Sequence, residues 1–372
     1  MFYCVGMADV QGIGFEAVRE LLQASIDSGD DAGVSLCAIR DGQTVVDLWG
    51  GVADIETGAP WQRDTIVNTF SLTKTMVALV ALLLIDRNEL DPDSPVTRYW
   101  PEFGAAGKDG VLVRHLLGHT SGLPGWQQPV TMDDVCDVPK ATALLAGQEP
   151  WWRPGDGSGY QAMNHGHLVG ELVSRITGSS LGTVFAAEFA GPDKADYYIG
   201  TPESADDRIA RLISPPEASA DWSRIPAGSV MHKTLRNPVL DIGKTSSRLW
   251  RGAELGAMNG HGNARSVATL QARISHGDPI GARIFDVQSD RTDRVLGLPI
   301  RFGLGYGLTR GVADMFLPAG RICWWSGYGG SLVVNDLDRN LTVAYVMNKM
   351  APALVSLARA TKYLTAIYAE LA

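Results

Sequence analysis

The chain has 372 residues, of which 45% are hydrophobic and 20% are charged, and its net charge is −9. This composition predicts a globular protein of one large domain or two and argues against a disordered chain. The longest apolar runs, such as 76–85, are too short to cross a bilayer. The negative charge argues against nucleic acids and anionic membranes as partners.

The N-terminal part of the chain predicts a helix followed by a β-hairpin. Residues 14–28 carry apolar side chains at helical spacing. Two β-rich runs follow, 34–40 and 44–49, and they are joined at Asp41-Gly42. An Asp-Gly pair between two such runs is the strongest short hairpin signal, so we expect antiparallel pairing here.

The C-terminal part predicts the same two elements in the opposite order. Runs 331–335 and 341–347 flank a polar turn and predict a second hairpin, and 353–371 predicts a closing helix. Further strands are expected at 302–309 and 321–325.

The middle of the chain is mainly helical by pattern, with helices expected at 112–117, 165–177 and 181–190, while 215–281 cannot be assigned. Hairpins from both ends most simply share one sheet covered by the terminal helices. We therefore expect an α/β (α+β) protein. Residues 1–70 and 295–372 would form a domain with a central antiparallel sheet, and 71–294 an inserted, mainly helical domain with the active site between the two.

Four cysteines, Cys4, Cys37, Cys136 and Cys323, show no metal or redox spacing, and structural thiols are a better interpretation than a disulfide pair. The N-terminal residues show no secretory leader. Both observations favour the cytoplasm. His115 and His119 lie four residues apart but lack the adjacent Glu of the zinc-protease pattern. No metal and no cofactor is expected.

A possible nucleophile lies at the start of an apolar helix. Ser71-Leu72-Thr73-Lys74 precedes an apolar run, and a helix starting near Ser71 would place Ser71 and Lys74 on one face. A nearby basic group can take the proton of a serine hydroxyl and make it a nucleophile. The alternative is an N-cap serine followed by a surface lysine, and this short motif alone does not decide between them.

A second candidate, Tyr160, follows a loop with three glycines in five residues, which lets the backbone approach another element closely. Its phenol could act as a general base or proton shuttle, and the alternative is a half-buried structural tyrosine. A third candidate is the segment from Trp325 to Tyr328, before the final hairpin. Glycines such as Gly327 can leave backbone N–H groups free, as an oxyanion hole requires, although a simple glycine bulge fits as well.

In this order and at these separations, Ser71-x-x-Lys74, Tyr160 and Trp325-x-Gly327 resemble the motifs of the serine β-lactamase and penicillin-binding fold. Within it they look most like the family VIII carboxylesterases, relatives of class C β-lactamases. The stretches 90–96, 116–123 and 191–192 support the resemblance. It covers most of the chain and is weakest between 215 and 281.

The resemblance implies a role for each matching position. Ser71 matches the nucleophile, Lys74 its basic partner, and Tyr160 the tyrosine that shares proton transfer. The backbone N–H groups of Ser71 and Tyr328 match the oxyanion hole. The sequence leaves open whether Lys74 or Tyr160 is the deprotonated base, and the two can titrate as a coupled pair.

The departures from the lactamase motifs favour esters. A class C β-lactamase has Tyr-x-Asn where this chain has Tyr160-Gln161-Ala162, and Lys-Thr-Gly where it has Trp325-Ser326-Gly327. Replacing the cation by an indole removes a charge-assisted contact of roughly 1.5 to 3 kcal/mol. We therefore expect neutral acyl esters as substrates, unless an arginine such as Arg248 or Arg251 supplies the missing charge.

Tryptophans near the motifs, Trp126, Trp151, Trp152 and Trp325, suggest an aromatic-walled substrate pocket. A competing serine motif also occurs. Gly178-Ser179-Ser180-Leu181-Gly182 matches the Gly-x-Ser-x-Gly pattern, which works only on a strand-to-helix turn. Here it follows a helical pattern, so Ser180 reads as the N-cap of the next helix.

The sequence thus predicts a serine carboxylesterase that acts on a small-molecule ester. Neither a nucleic acid nor a membrane is expected as a binding partner. Three alternatives stay open. The first is a weak β-lactamase or D-amino-acid peptidase, the second is acyl transfer to another alcohol, and the third is a non-catalytic sensor module of the penicillin-binding type. The sequence leaves the natural ester, the acyl-chain length and the oligomeric state undetermined.

Overall fold

The structure is a computed structural model that describes residues 9–215 and 225–372. Cys4 lies outside the described residues. The other three cysteines, Cys37, Cys136 and Cys323, are free thiols. None of the helices in the described ranges is both long and apolar enough to span a bilayer.

A ten-stranded sheet forms the frame of the molecule, in the order β1-β3-β2-β12-β11-β10-β9-β8-β7 with β4 paired to β3. Its strands are β1 (Gln11–Ile13), β2 (Gly33–Arg40), β3 (Gln43–Asp54), β4 (Ala59–Pro60), β7 (Ser289–Thr292), β8 (Pro299–Phe302), β9 (Gly307–Gly311), β10 (Ile322–Ser326), β11 (Leu332–Asp336) and β12 (Leu341–Met347). A separate two-stranded sheet pairs β5 (Val67–Asn68) with β6 (His261–Gly262).

Both predicted hairpins are present and belong to one sheet. Asp41 and Gly42 both have positive φ, 50° and 75°, as the tight turn between β2 and β3 requires. β12 then pairs antiparallel with β2 over its whole length, from Leu341 opposite Arg40 to Met347 opposite Val34. The two ends of the chain are therefore joined at the centre of the sheet, and the predicted α/β architecture is confirmed.

The α-helices of the described residues are α1 (Glu16–Asp27), α2 (Thr73–Asp86), α3 (Val113–Leu117), α4 (Met132–Cys136), α5 (Val138–Gly147), α6 (His165–Thr177), α7 (Leu181–Phe185), α8 (Val230–Leu235), α9 (Arg248–Gly252), α10 (Ala264–Ser275) and α11 (Ala358–Glu370). A π-helical turn, Ala186–Ala190, continues α7. Short 3₁₀ turns occur at Val96–Arg98, Pro101–Gly107, Glu203–Arg208, Ile242–Ser246, Pro279–Gly281 and Val312–Met315.

Helices cover both faces of the sheet. On one face α1 and α11 pack over residues such as Leu36, Trp324 and Val343. On the other face α10 packs on β2, β11 and β12, next to a larger core that includes α2. The side chains of α2 are buried almost all round, from Thr73 to Leu82, because the helix lies in the middle of the protein.

The prediction of a single strand over 302–309 is wrong. The chain turns between β8 and β9, where Gly305 has a φ of +80° and the N–H of Gly303 donates to the carbonyl of Tyr306 at 2.9 Å. Glycine adopts this left-handed conformation readily, so the run forms two antiparallel strands. The domain boundaries at 70 and 295 stay predictions. β7 joins the large sheet just before the second boundary.

Candidate active site

Ser71 lies in a tight turn directly before α2. Phe70 has a φ of 47°, a conformation that a bulky residue adopts only where its surroundings impose it. The N–H of Thr73 donates to the carbonyl of Phe70 at 2.9 Å, and the Thr73 hydroxyl donates to the same oxygen. The helix therefore begins at Thr73, two residues later than the sequence suggests, and Ser71 precedes it with 9% of its surface exposed.

The side chain of Lys74 is buried with its amine beside Ser71. Nζ lies 3.2 Å from Ser71 Oγ, 2.9 Å from the carbonyl oxygen of Ala162 and 2.8 Å from that of Ala257. Burial lowers the pKa of Lys74 well below its ordinary value. A neutral amine has two N–H donors for the two carbonyls, which leaves its lone pair for the Ser71 hydroxyl.

Tyr160 completes the contact with Ser71 and is held in place from two sides. Its hydroxyl oxygen accepts a hydrogen bond from Nε1 of Trp325 at 3.1 Å, and it is also within hydrogen-bonding reach of the Ser71 side chain. Lys74 Nζ lies 4.6 Å from the centre of the Tyr160 ring. Burial raises the pKa of Tyr160, and the nearby carboxylate of Asp293 acts in the same direction, so the phenol keeps its proton.

A polar network that the sequence did not reveal lies beneath Tyr160. The side-chain oxygen of Gln161 interacts with Nδ1 of His119 at 3.0 Å and Nδ1 of His165 at 3.2 Å, and its amide donates to Ser121 at 3.1 Å. Burial lowers the pKa of His119 to about 3, so this ring is neutral. Gln161 thus supports the floor of the site, one position before the place where the lactamase motif has its Asn.

Asp293 anchors the backbone of the Tyr160 loop. Its Oδ1 accepts from the N–H of Tyr160 at 3.1 Å and from the N–H groups of Val295 and Leu296 at 2.9 Å each. Its Oδ2 is buried with no partner in the described part of the chain. No local motif marks Asp293, because its role depends on a contact 133 residues away in sequence.

Two residues whose backbone N–H groups are predicted to act together line the same cavity. Ser71 and Tyr328 both line it, and neither N–H donates to another residue within 9–215 and 225–372. The ring of Tyr328 packs edge-on against Phe70, with 5.6 Å between the ring centres. Gly327 makes this approach possible, since a Cβ there would collide with the carbonyl oxygen of Thr69. These two N–H groups are available as donors, and their role as an oxyanion hole stays a prediction.

Arg359 of α11 fixes the loop that carries Tyr328. Its guanidinium donates to the carbonyl oxygens of Gly329 at 3.2 Å and Lys349 at 2.5 Å, and to Oδ1 of Asp31 at 2.9 Å. Asp31 is fully buried and also accepts from two tyrosine hydroxyls. The loop is therefore tied to the covering helices on the far side of the sheet.

The cavity next to Ser71 has a volume of about 150 Å³. Its apolar lining consists mainly of Phe70, Met163, Leu235, Val239, Leu240 and Met258. A closed apolar cavity of about this size holds a benzene-sized group, so a short acyl chain or a small ring fits. Arg236 also lines the cavity, and it is the charged residue that the sequence did not single out.

The predicted tryptophans lie at different distances from this cavity. Trp325 is buried behind Tyr160 and contacts Phe302 and His119. Trp126 lines a neighbouring cavity, and Trp152 packs over Gly159 and donates to the carbonyl of Gly157. Direct contact of Trp325, Gly327, Trp126 or Trp152 with a substrate stays a prediction.

The two arginines proposed as substitutes for the missing cation face elsewhere. Arg248 and Arg251 both pair with Asp206, at 2.8 Å and 3.3 Å, and neither lines the cavity beside Ser71. His115 and His119 make separate contacts. Nδ1 of His115 accepts from the N–H of Leu112, whereas Nδ1 of His119 contacts the side-chain oxygen of Gln161.

Ser180 has the structural environment of a helix cap. Its Oγ accepts from the N–H of Thr183 at 3.3 Å and donates to Glu254 Oε1 at 2.7 Å. It follows α6 and starts α7, and Gly178 between them has the left-handed φ of 70° expected of a C-cap. No basic side chain contacts its hydroxyl among the described residues.

Comparison with known families agrees with this arrangement. The β-lactamase family model matches residues 18–366, which is nearly the whole chain. The chain belongs to the β-lactamase family. Among curated relatives of this family, the protein named esterase/β-lactamase LipL from Mycobacterium tuberculosis is 31% identical over 355 residues, which cover 87% of this chain and 78% of LipL.

Two solved structures superpose on nearly the full chain. A family VIII carboxylesterase has a TM-score of 0.89 and 35% identity, covering 96% of this chain and 99% of its own. A penicillin-binding protein homologue from Caulobacter crescentus has a TM-score of 0.87 and 31% identity, covering 97% and 99%. The resemblance to family VIII carboxylesterases inferred from the motifs is confirmed.

Proposed function

We propose that the protein is a serine carboxylesterase that hydrolyses small, neutral acyl esters through an acyl-enzyme on Ser71. The observation that carries the proposal is the contact of the buried Lys74 amine with the Ser71 hydroxyl at the edge of an apolar cavity, where burial lowers the pKa of the amine. Two similar proteins are named as esterases, LipL and the family VIII carboxylesterase. The enzyme's partner is then a small-molecule ester.

In the first step Ser71 Oγ attacks the ester carbonyl while its proton passes to Nζ of Lys74. The N–H groups of Ser71 and Tyr328 stabilise the oxyanion that forms. The proton then travels from Lys74 through the Tyr160 hydroxyl to the leaving alcohol, and the carbon–oxygen bond of the ester breaks. This route uses a protonated phenol, which agrees with the raised pKa of Tyr160.

In the second step water attacks the acyl-enzyme and gives its proton back along the same route. The carboxylic acid leaves, and Ser71 regains its hydrogen. Lys74 is the deprotonated base in this scheme and Tyr160 the relay, because burial shifts the pKa values of the two groups in opposite directions.

Mass spectrometry of the intact protein tests the proposal. After brief exposure to 4-nitrophenyl butyrate we expect a mass increase of one butyryl group, located on Ser71 by peptide mapping and absent from Ser71→Ala. A parallel exposure to a cephalosporin tests the second candidate, a weak β-lactamase, which the double name of LipL supports. An adduct with the cephalosporin alone would favour the lactamase, and no adduct with either would favour a silent penicillin-binding module.

We also propose a cytoplasmic location, because Cys37, Cys136 and Cys323 are free thiols and reduced cysteines are typical of that compartment.

A further inference from the structure

A second cavity adjoins the one beside Ser71 and shares a residue with it. It has a volume of about 500 Å³, and Trp126 and Trp151 form its aromatic wall. The side chains of His232, Lys233 and Arg236 also line it. Arg236 lines both cavities, so it stands where they meet. A ligand that starts at Ser71 and extends past Arg236 enters this second space.

The backbone at Arg236 is held rigidly at this junction. Its N–H donates to the carbonyl of His232 at 3.1 Å, at the end of α8. The next residue, Asn237, donates from its amide to the carbonyls of Trp126 and Gln128, both at 2.8 Å. Asn237 Oδ1 accepts from the N–H of Val130 at 2.9 Å. The backbone at Arg236 is therefore fixed before any ligand arrives, so only its side chain has to be ordered on binding.

The charge of this region is positive, in contrast to the chain as a whole. Arg236 and Lys233 both line the second cavity, and no acidic residue of the described ranges lines either cavity. Lys233 Nζ lies 5.8 Å from the ring centre of Trp151, a cation–π contact that holds it against the aromatic wall. A guanidinium and an ammonium that line one cavity together with two tryptophans form a good receptor for a carboxylate attached to an apolar or aryl group.

We propose that Arg236, assisted by Lys233, binds a carboxylate carried by the ester substrate at the end remote from the scissile bond. The inference rests on the proposed esterase function and extends its substrate class from neutral esters to esters that also carry one free carboxylate away from the scissile bond. The part of the substrate next to Ser71 stays uncharged, since the lining of that cavity is mainly apolar and Arg236 is its one charged side chain among the described residues. The carboxylate lies in the wider, water-accessible cavity, where Arg236 meets it without full desolvation.

The test compares matched pairs of esters that differ in one charge. The first pair, 4-nitrophenyl hydrogen suberate and its methyl ester, carries the carboxylate or its neutral equivalent on the acyl side. Its hydrolysis is monitored by the release of nitrophenol. The alcohol-side pair is 4-acetoxybenzoate and its methyl ester, followed by chromatography. For at least one pair we expect the wild-type kcat/KM of the carboxylate to exceed that of the neutral ester about tenfold, through a lower KM, and to decline with added salt.

Arg236→Gln should bring the ratio of kcat/KM for the carboxylate to that for the neutral ester close to one in the pair that shows the preference. Arg291→Gln is the matched control, because Arg291 is an exposed arginine of the edge strand β7 that lines neither cavity. It should retain the full preference. A wild-type enzyme that hydrolyses the neutral esters but shows no preference in either pair, or whose preference survives Arg236→Gln, overturns the inference. Failure to hydrolyse any of the four esters counts against the esterase function instead.

Discussion

The indole N–H of Trp325 donates to the phenol oxygen of Tyr160 at 3.1 Å, in the position where the lactamase motif has a lysine. The tryptophan therefore does more than remove a charge. It holds the phenol that lies against Ser71, and it does so with a neutral donor.

Trp325→Phe should lower kcat by about fivefold to tenfold, because one neutral hydrogen bond of about 1 kcal/mol that positions Tyr160 is lost. Trp324→Phe is the matched control. Trp324 is equally buried and donates to the carbonyl of Leu308 at 3.2 Å, but it packs on the opposite face of the sheet. Urea unfolding should show a comparable loss of stability in both variants. Steady-state kinetics with 4-nitrophenyl butyrate should show a loss of turnover in Trp325→Phe alone. Equal turnover in the two variants would show that Trp325 does not position Tyr160 for catalysis.

Ser71→Ala should abolish ester hydrolysis, whereas Ser180→Ala should retain most of it. The second variant loses the N-cap of α7 and a hydrogen bond to Glu254, so we expect a fall in unfolding free energy of about 1 kcal/mol and no other effect. Activity assays and thermal unfolding of the two purified variants check this. An inactive but folded Ser180→Ala protein beside an active Ser71→Ala protein would overturn the mechanism.

The pH dependence of kcat/KM should show which group is the base. Activity falls as pH drops through the pKa of Lys74, because protonation removes the lone pair, and burial places that pKa well below 10.5. On the alkaline side, burial raises the pKa of Tyr160 above 10.0, so we expect a plateau with no decline up to about pH 10 while the protein stays folded. Tyr160→Phe should lower the plateau by roughly two or more orders of magnitude and leave its acid limb in place.

The opposite assignment predicts a different profile. If the Tyr160 phenolate were the base, kcat/KM would keep rising about tenfold per pH unit up to pH 10. That profile would transfer the role of base from Lys74 to Tyr160.

Neutral aryl esters should be hydrolysed much faster than cephalosporins. The carboxylate of a β-lactam is held close to its scissile amide, where the lactamase relatives have a lysine and this chain has Trp325. A partly desolvated anion without a partner there is costly to bind. The measurement is kcat/KM for 4-nitrophenyl butyrate and a chromogenic cephalosporin. Equal values, or a preference for the cephalosporin, would contradict the esterase function.

Acid should destabilise the protein steeply below about pH 6.5. Burial lowers the pKa of His119 and His261 to about 3 and of His167 to about 4, so these rings stay neutral in the folded chain. The unfolded chain takes up the protons near pH 6.5, and each histidine then reduces the unfolding free energy by about 1.4 kcal/mol per pH unit down to about pH 4. Urea unfolding at several pH values measures this slope.

His167→Gln should make the dependence of the unfolding free energy on pH shallower by the contribution of one histidine, about 1.4 kcal/mol per pH unit between about pH 6.5 and pH 4. The glutamine amide can still donate to the carbonyl of Val135, which His167 contacts through Nε2 at 2.9 Å. An unchanged slope in this variant would show that His167 is protonated in the folded protein.

The sequence predicts the parts of the fold that local chemistry specifies. Asp41-Gly42 marks the first hairpin, and the pattern over 165–177 matches α6 at both ends. Helix α10 was missed in the unassigned region, although its N-cap was readable, since Asn263 Oδ1 accepts from the N–H of Ser266 at 3.0 Å.

The candidate site likewise contains residues that a local motif predicts and residues that only the folded structure brings together. Ser71 and Lys74 are close because a single helical turn relates them, and a three-residue spacing is visible in any sequence. Asp293 accepts a hydrogen bond from Tyr160, 133 positions away, and Arg236 lines the cavity beside the distant Ser71, and nothing in the local sequence marks either residue. Their roles depend on how distant loops pack, which a single sequence does not contain.

Arg359 links the C-terminal helix α11 to the loop that carries Tyr328. Because its guanidinium holds the carbonyl of Gly329, the loop of Tyr328 depends on the docking of α11. A circular permutation that opens the chain between β12 and α11, or a bulky fusion at the C-terminus, should therefore displace the loop of Tyr328, and with it one of the two proposed oxyanion donors, before it unfolds the sheet.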